Sequence, residues 1–157
     1  MKKIILIIKV MLASLIIAGS ANAQYTADNI KDMVNAQSFV FEAQTASPAS
    51  GNLKQLTPSY YTLSVSKDTV VADLPYYGRA YTAPIDPTQG GLQFKSTKFE
   101  YLEKAGRKGW NITIKPDDTG DAVQMYLSVF DNGSASLSIS SANRQSISFN
   151  GFIRAKK

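Results

Sequence analysis

The 157-residue chain contains no histidine and no cysteine. That removes Ser-His-Asp and Cys-His nucleophilic catalysis, zinc or copper sites built on imidazole or thiolate, the acylated cysteine of a lipoprotein, and any disulfide. No glycine-rich phosphate loop of the P-loop or dinucleotide type is present either. Catalysis would fall to carboxylates, lysine, tyrosine or serine, and the acids are poorly arranged for it. Glu100 and Glu103 have an odd spacing, which on a strand puts them on opposite faces, so a glycosidase-like pair is disfavoured. Asp117, Asp118 and Asp121, with Thr119 and Gly120 between, offer several oxygens to a hard cation. They lack the remaining spacing and terminal glutamate of an EF-hand loop, however, and read more simply as a solvated turn. The expectation is a protein that is not an enzyme, with no catalytic residues, no metal site and no cofactor.

Binding chemistry is densest between Leu74 and Tyr81, where Tyr76, Tyr77, Gly78, Arg79 and Tyr81 place three tyrosines and a guanidinium within eight residues. Such a set can wall a pocket for a sugar or a small apolar or amphipathic ligand, with Arg79 fixing a carboxylate or phosphate. The same tyrosines can instead pack a barrel seam with Arg79 stacked on one of them, the commoner arrangement in all-β proteins. Arg144, between Asn143 and Gln145 ahead of the last strand, offers a planar fork of donors that could tie loop carbonyls together or bind an anion. The ligand-binding candidates are thus Tyr76, Tyr77, Arg79, Tyr81 and Arg144. A separate contact surface could come from Ser134, Ser136, Ser138 and Ser140 on one strand face, joined by Ser146 and Ser148, and would suit an envelope protein or a glycan.

The elements that must position these groups are legible from periodicity. Ile30, Met33 and Val34 share one helical face, with Thr26 placed to cap and Asp28 near the positive dipole end, which predicts a short helix over about 26–37. From Ser38 the period changes to two. Phe39 and Phe41 alternate with Val40 and Glu42. Ser47 to Ser59, with Pro48, Gly51 and Pro58, reads as a loop. Inward sets then follow at Tyr61, Leu63 and Val65; Val70, Ala72 and Leu74; Leu92 and Phe94; Phe99 and Tyr101; and Trp110, Ile112 and Ile114. The strongest hairpin signal joins Val123, Met125, Leu127 and Val129 through Asp131-Asn132-Gly133 to Ala135, Leu137 and Ile139. Ile147, Phe149 and Ile153 finish the pattern, with Gly151 marking a bulge or a close backbone approach. Short turns without helical crossovers require an antiparallel sheet. The predicted fold is mostly β, an antiparallel barrel or half-barrel of about eight strands with one N-terminal helix plugging an end, or alternatively a two-layer β-sandwich.

Met1 to Ala23 follow the pattern of a cleaved export signal: Lys2 and Lys3, then an apolar run from Ile4 to Ala18, then small residues ending Ala21-Asn22-Ala23. The apolar run falls short of the roughly 20 residues of a spanning helix. Residues 24–157 are therefore expected to form one β domain with no membrane span, free in the periplasm or outside the cell and not lipid-anchored. Removing Lys2, Lys3 and Lys9 leaves 14 Lys+Arg against 12 Asp+Glu, a balance that gives no footprint for nucleic acid.

The stretches Phe39 to Ala43 (FVFEA), Gln55 to Leu63 (QLTPSYYTL), Asp68 to Pro84 (DTVVADLPYYGRAYTAP), Gly90 to Phe94 (GGLQF) and Asn143 to Ile153 (NRQSISFNGFI) resemble the domain of unknown function 4251 family, exported proteins found mainly in Bacteroidetes. LPYYGRAY and NRQSI are the most specific of them. The resemblance implies a lipocalin-like barrel over nearly all of the mature chain and brings no assigned activity.

Overall fold

In the computed structural model the described residues are 26–57, 59–81, 91–120 and 123–156. The expected export signal, Pro58, Asp121 and most of the proline-containing loop before Gly91 lie outside them. The chain enters the fold through helix α1 (Ala27–Asn35). The Thr26 hydroxyl accepts from the Asn29 backbone N–H, and the Asn29 side chain accepts from the Thr26 backbone N–H, so two of the free donors at the helix start are satisfied reciprocally. The face that periodicity picks out is the one that is buried, Ile30, Met33 and Val34.

Ten strands follow: β1 (Phe39–Pro48), β2 (Lys54–Gln55), β3 (Thr62–Val65), β4 (Val70–Leu74), β5 (Leu92–Ser96), β6 (Phe99–Gly106), β7 (Gly109–Pro116), β8 (Val123–Phe130), β9 (Ser134–Ser141) and β10 (Ile147–Ala155). All pairings are antiparallel, and the hydrogen-bonded order is β5-β4-β3-β1-β10-β9-β8-β7-β6, with β2 attached to β1. β5 and β6 sit at opposite ends of this path, yet only Thr97 and Lys98 separate them in the chain. The sheet must therefore curl until its ends meet at that corner, which makes a nearly closed barrel and excludes the sandwich alternative.

Alternate residues of the strands point inward and fill the interior. Phe39, Phe41, Leu63, Val65, Val70, Ile114, Met125, Leu137 and Phe149 are fully buried and belong to one core with the α1 face. Closing such a small barrel leaves room for side chains rather than a channel. α1 covers the end at the β8–β9 hairpin, where the Cβ position of Gly133 lies 3.1 Å from Ile30 Cδ1. That hairpin turns as its sequence demands: the Gly133 N–H donates to the Phe130 carbonyl at 2.8 Å, and Gly133 sits at φ 82°.

Two expectations need correction. The stretch from Ser47 to Ser59 is not all loop, since β1 continues through Ser47 and Pro48 and Lys54–Gln55 returns to pair with Ala46 and Thr45. Pro48 is tolerated because it lies at the strand's end, opposite Ile147. The polar side of β1 is also not exposed: Val40 and Glu42 are buried together with Phe39, Phe41 and Ala43. The signal at Gly151 is explained by its partner strand. The register slips between Ala43 and Thr45, and a Cβ on Gly151 would collide with the Glu42 carbonyl oxygen.

Candidate functional site

The predicted aromatic segment begins where the β4 ladder ends. Pro75 has no N–H to continue it, and the chain leaves the sheet as an extended strap. The strap runs antiparallel to the β9–β10 connection. Ala80 bridges Arg144, the Tyr81 N–H donates to the Asn143 carbonyl at 2.8 Å, and the Gln145 N–H donates to the Arg79 carbonyl at 3.0 Å. The Tyr76 hydroxyl stands 2.9 Å from the Arg79 carbonyl oxygen and 3.0 Å from that of Gln145, so its hydrogen serves both segments. Burial raises its ionisation above the usual phenol range, which keeps it a donor. The Arg79 N–H donates to the Gln145 side-chain oxygen at 3.2 Å. Arg144 lies over the Tyr76 ring, 5.3 Å from its centroid, and donates to the Gly91 carbonyl at 3.0 Å.

Two of the five predicted residues, Tyr76 and Arg144, are thus brought together by their side chains, and Arg79 by its backbone, as a lash that ties the β4–β5 connection to the β9–β10 connection. Tyr81 joins through its backbone. Tyr77 and Tyr81 stand 41% and 68% exposed, and Arg79 is exposed, so their side chains face solvent beside the lash.

A second locus was not read from the sequence. A depression of about 170 Å³ is lined by Gly106 to Asn111 and by Ser128, Val129 and Phe130. A shallower one of about 380 Å³ adjoins it, lined by Lys108, Phe130, Asp131, Asn132 and Ser134. They share Lys108 and Phe130, and together they present two cations, Trp110, the half-exposed Phe130 ring and the amides of Asn111 and Asn132. This locus and the lash lie at opposite ends of β9, whose eight residues span about 25 Å. A usable signal was present: Phe130 is apolar at a position where β8 alternation calls for an outward polar residue, and Arg107-Lys108 sit two residues from the only tryptophan.

The aspartate cluster is not a bare turn. The Asp118 carboxylate accepts from the Ser96 hydroxyl, from the Thr97 N–H at 2.9 Å and from the Lys98 N–H at 3.2 Å, which holds the corner between β5 and β6. These donors, the Ser96 hydroxyl foremost, pull its pKa down to about 2. Among the described residues no three acidic side chains come together as a metal site. Glu100 and Glu103 point to opposite faces, opposite Lys115 and Ile112 of β7 respectively, and Glu100 pairs with Lys115 at 3.4 Å.

The family model described as "Domain of unknown function (DUF4251)" matches residues 21–153. The chain belongs to the DUF4251 family. A solved structure of a DUF4251 family protein from Bacteroides eggerthii has the same fold, with a TM-score of 0.62 at 16% sequence identity, covering 82% of this chain and 87% of that one. No curated protein matches the chain. In this DUF4251 chain the two stretches most specific to the resemblance, LPYYGRAY and NRQSI, are the ones that meet in the lash, so part of that signature is accounted for by structure.

Proposed function

We propose that this DUF4251 protein is an exported, non-catalytic binding module that holds a small amphipathic ligand at the barrel end formed by the β6–β7 and β8–β9 hairpins. One observation carries the reading: the adjoining depressions join Trp110 and Phe130 to Arg107, Lys108 and two amides, a combination suited to a ligand with an apolar body and an anionic or polar group. The filled barrel interior favours a site at the rim. The lash uses the Tyr76 hydroxyl and Arg144 for tethering, which leaves Tyr77, Arg79 and Tyr81 as a rival surface at the other end. Export rests on the tripartite pattern of Met1 to Ala23, and a non-catalytic role on the lack of histidine and cysteine together with acids that, among the described residues, do not converge.

Because Trp110 is the only tryptophan, its emission reports on the site. Titration with anilinonaphthalene sulfonate, an aromatic anion, should quench Trp110, and a medium-chain carboxylate should reverse the quenching. Replacing Lys108 or Phe130 with alanine should weaken binding about tenfold, or ~1.4 kcal/mol. Weakening by Tyr81→Ala instead moves the site to the lash, and no quenching at all ends the reading.

A second reading places an envelope protein or a glycan on the outer sheet face. It is favoured by Tyr126, 46% exposed in a cross-strand row with Thr113, Ser138 and Ser148. Crosslinks lost when Ser136 and Ser138 become lysine would support it, and their retention would dismiss it.

A further inference from the structure

The last strand on one side of the barrel is open. β6 pairs only with β7 among the described residues, from Phe99 opposite Pro116 to Gly106 opposite Gly109. The Asp117 N–H donates to the Lys98 carbonyl at 2.8 Å. Since backbone groups alternate sides along a strand, even-numbered residues of β6 turn theirs toward β7, while Tyr101, Glu103 and Ala105 turn theirs away from the sheet. Every residue from Leu102 to Gly106 is exposed, and Leu102 shows 48% of its surface. A strand with free donors and acceptors and an outward leucine is a template for another strand.

The geometry points to a second copy of this chain as that strand, joined antiparallel through β6 about a twofold axis at Leu102. A twofold axis perpendicular to the sheet keeps each face on its own side, so the pairing can be centred on any single residue of β6. Centring on Leu102 sets Leu102 against Leu102 of the second copy and, on the same face, Glu100 against its Lys104 twice over. On the other face it sets Tyr101 against Glu103 of the second copy. The Tyr101 hydroxyl is buried and has no hydrogen-bond partner among the described residues, and a carboxylate brought onto its row supplies an acceptor. Adjacent registers lose this match. Centring on Glu103 or on Lys104 opposes that charge to itself, and centring on Tyr101 sets Glu100 against Leu102. The charges on this edge therefore select one register and admit the chain's own copy.

Sedimentation equilibrium of the purified protein tests the assignment. A reversible monomer–dimer equilibrium is expected, weakened tenfold or more by Lys104→Glu, by Glu100→Lys or by Leu102→Lys, each with its thermal melt as a folding control. Mixing the Lys104→Glu and Glu100→Lys proteins should restore a dimer, seen by native mass spectrometry as a heterodimer, because each variant's charges then face their opposites. A protein that stays monomeric at every concentration overturns the proposal, whether or not the Tyr101 to Ala105 amides are protected from exchange. So does a dimer that Lys104→Glu leaves intact.

Discussion

Glu42 shows how much a single side chain depends on distant parts of the chain. It is 4% exposed, on a strand flanked by β3 and β10. One carboxylate oxygen accepts from the Ser59 N–H at 2.7 Å and the Ser59 hydroxyl at 3.0 Å, and the other pairs with Arg154 Nε at 3.0 Å. The bond from Ser59 holds that residue at φ 63°, a conformation a serine rarely adopts unaided. Glu42→Ala leaves the part-buried guanidinium without its counter-charge and the Ser59 N–H without its acceptor, and should cost about 3 kcal/mol. Glu42→Gln keeps an acceptor for Ser59 and should cost about half as much. Urea unfolding of the two variants checks the order, and equal losses would mean that the charge, not the acceptor, is what matters. None of this can be read from Phe39 to Ala43, where alternation sends Glu42 to water. Its burial is created by residues 59 and 154, which no local pattern ties to it.

The same contrast recurs at the level of elements. The α1 face, the Phe130 to Gly133 turn and the inward sets of β4 and β7 to β10 are all legible, because each is dictated by side chains within a few residues of one another. The extension of β1 past Ser47 and the brief return of β2 are not, because a two-residue strand exists only through its partner. The lash is intermediate. Its residues stood out as a dense chemical cluster, but the assignment of Tyr76 and Arg144 to tethering needed the β9–β10 connection beside them. Tyr76→Phe removes the hydroxyl from both carbonyls and should cost about 1 kcal/mol. Arg144→Ala removes the guanidinium from that ring and from the Gly91 carbonyl. Tyr76→Leu removes the ring as well as the hydroxyl, so combined with Arg144→Ala it should lose measurably less than the two single losses added together, by about 0.5 kcal/mol or more. Strict additivity in thermal or urea unfolding would show that ring and guanidinium act independently.

Across the whole molecule, closure of the barrel rests on one corner. The two ends of the sheet path, β5 and β6, are not joined by a ladder but by Thr97 and Lys98, and Asp118 from the end of β7 grips that link through the Ser96 hydroxyl and two backbone N–H groups. All three donors favour the ionised carboxyl, so its pKa falls from 3.8 to about 2 in the folded protein. A carboxyl that holds its proton less tightly when folded stabilises the fold above pH 4, where both states are ionised. That contribution declines as pH falls below 4, where the unfolded chain takes up the proton first, and is gone below about 2. Asp118→Asn cannot ionise and presents a neutral amide to the same donors. The thermal midpoint of the natural protein should therefore exceed that of the variant by a constant margin at pH 5 to 7, and the margin should shrink steadily between pH 4 and 2. The other carboxylates titrate alike in both proteins, so the difference between the two curves isolates this corner. Curves that stay parallel down to pH 2 would mean that the barrel closes without help from the Asp118 charge.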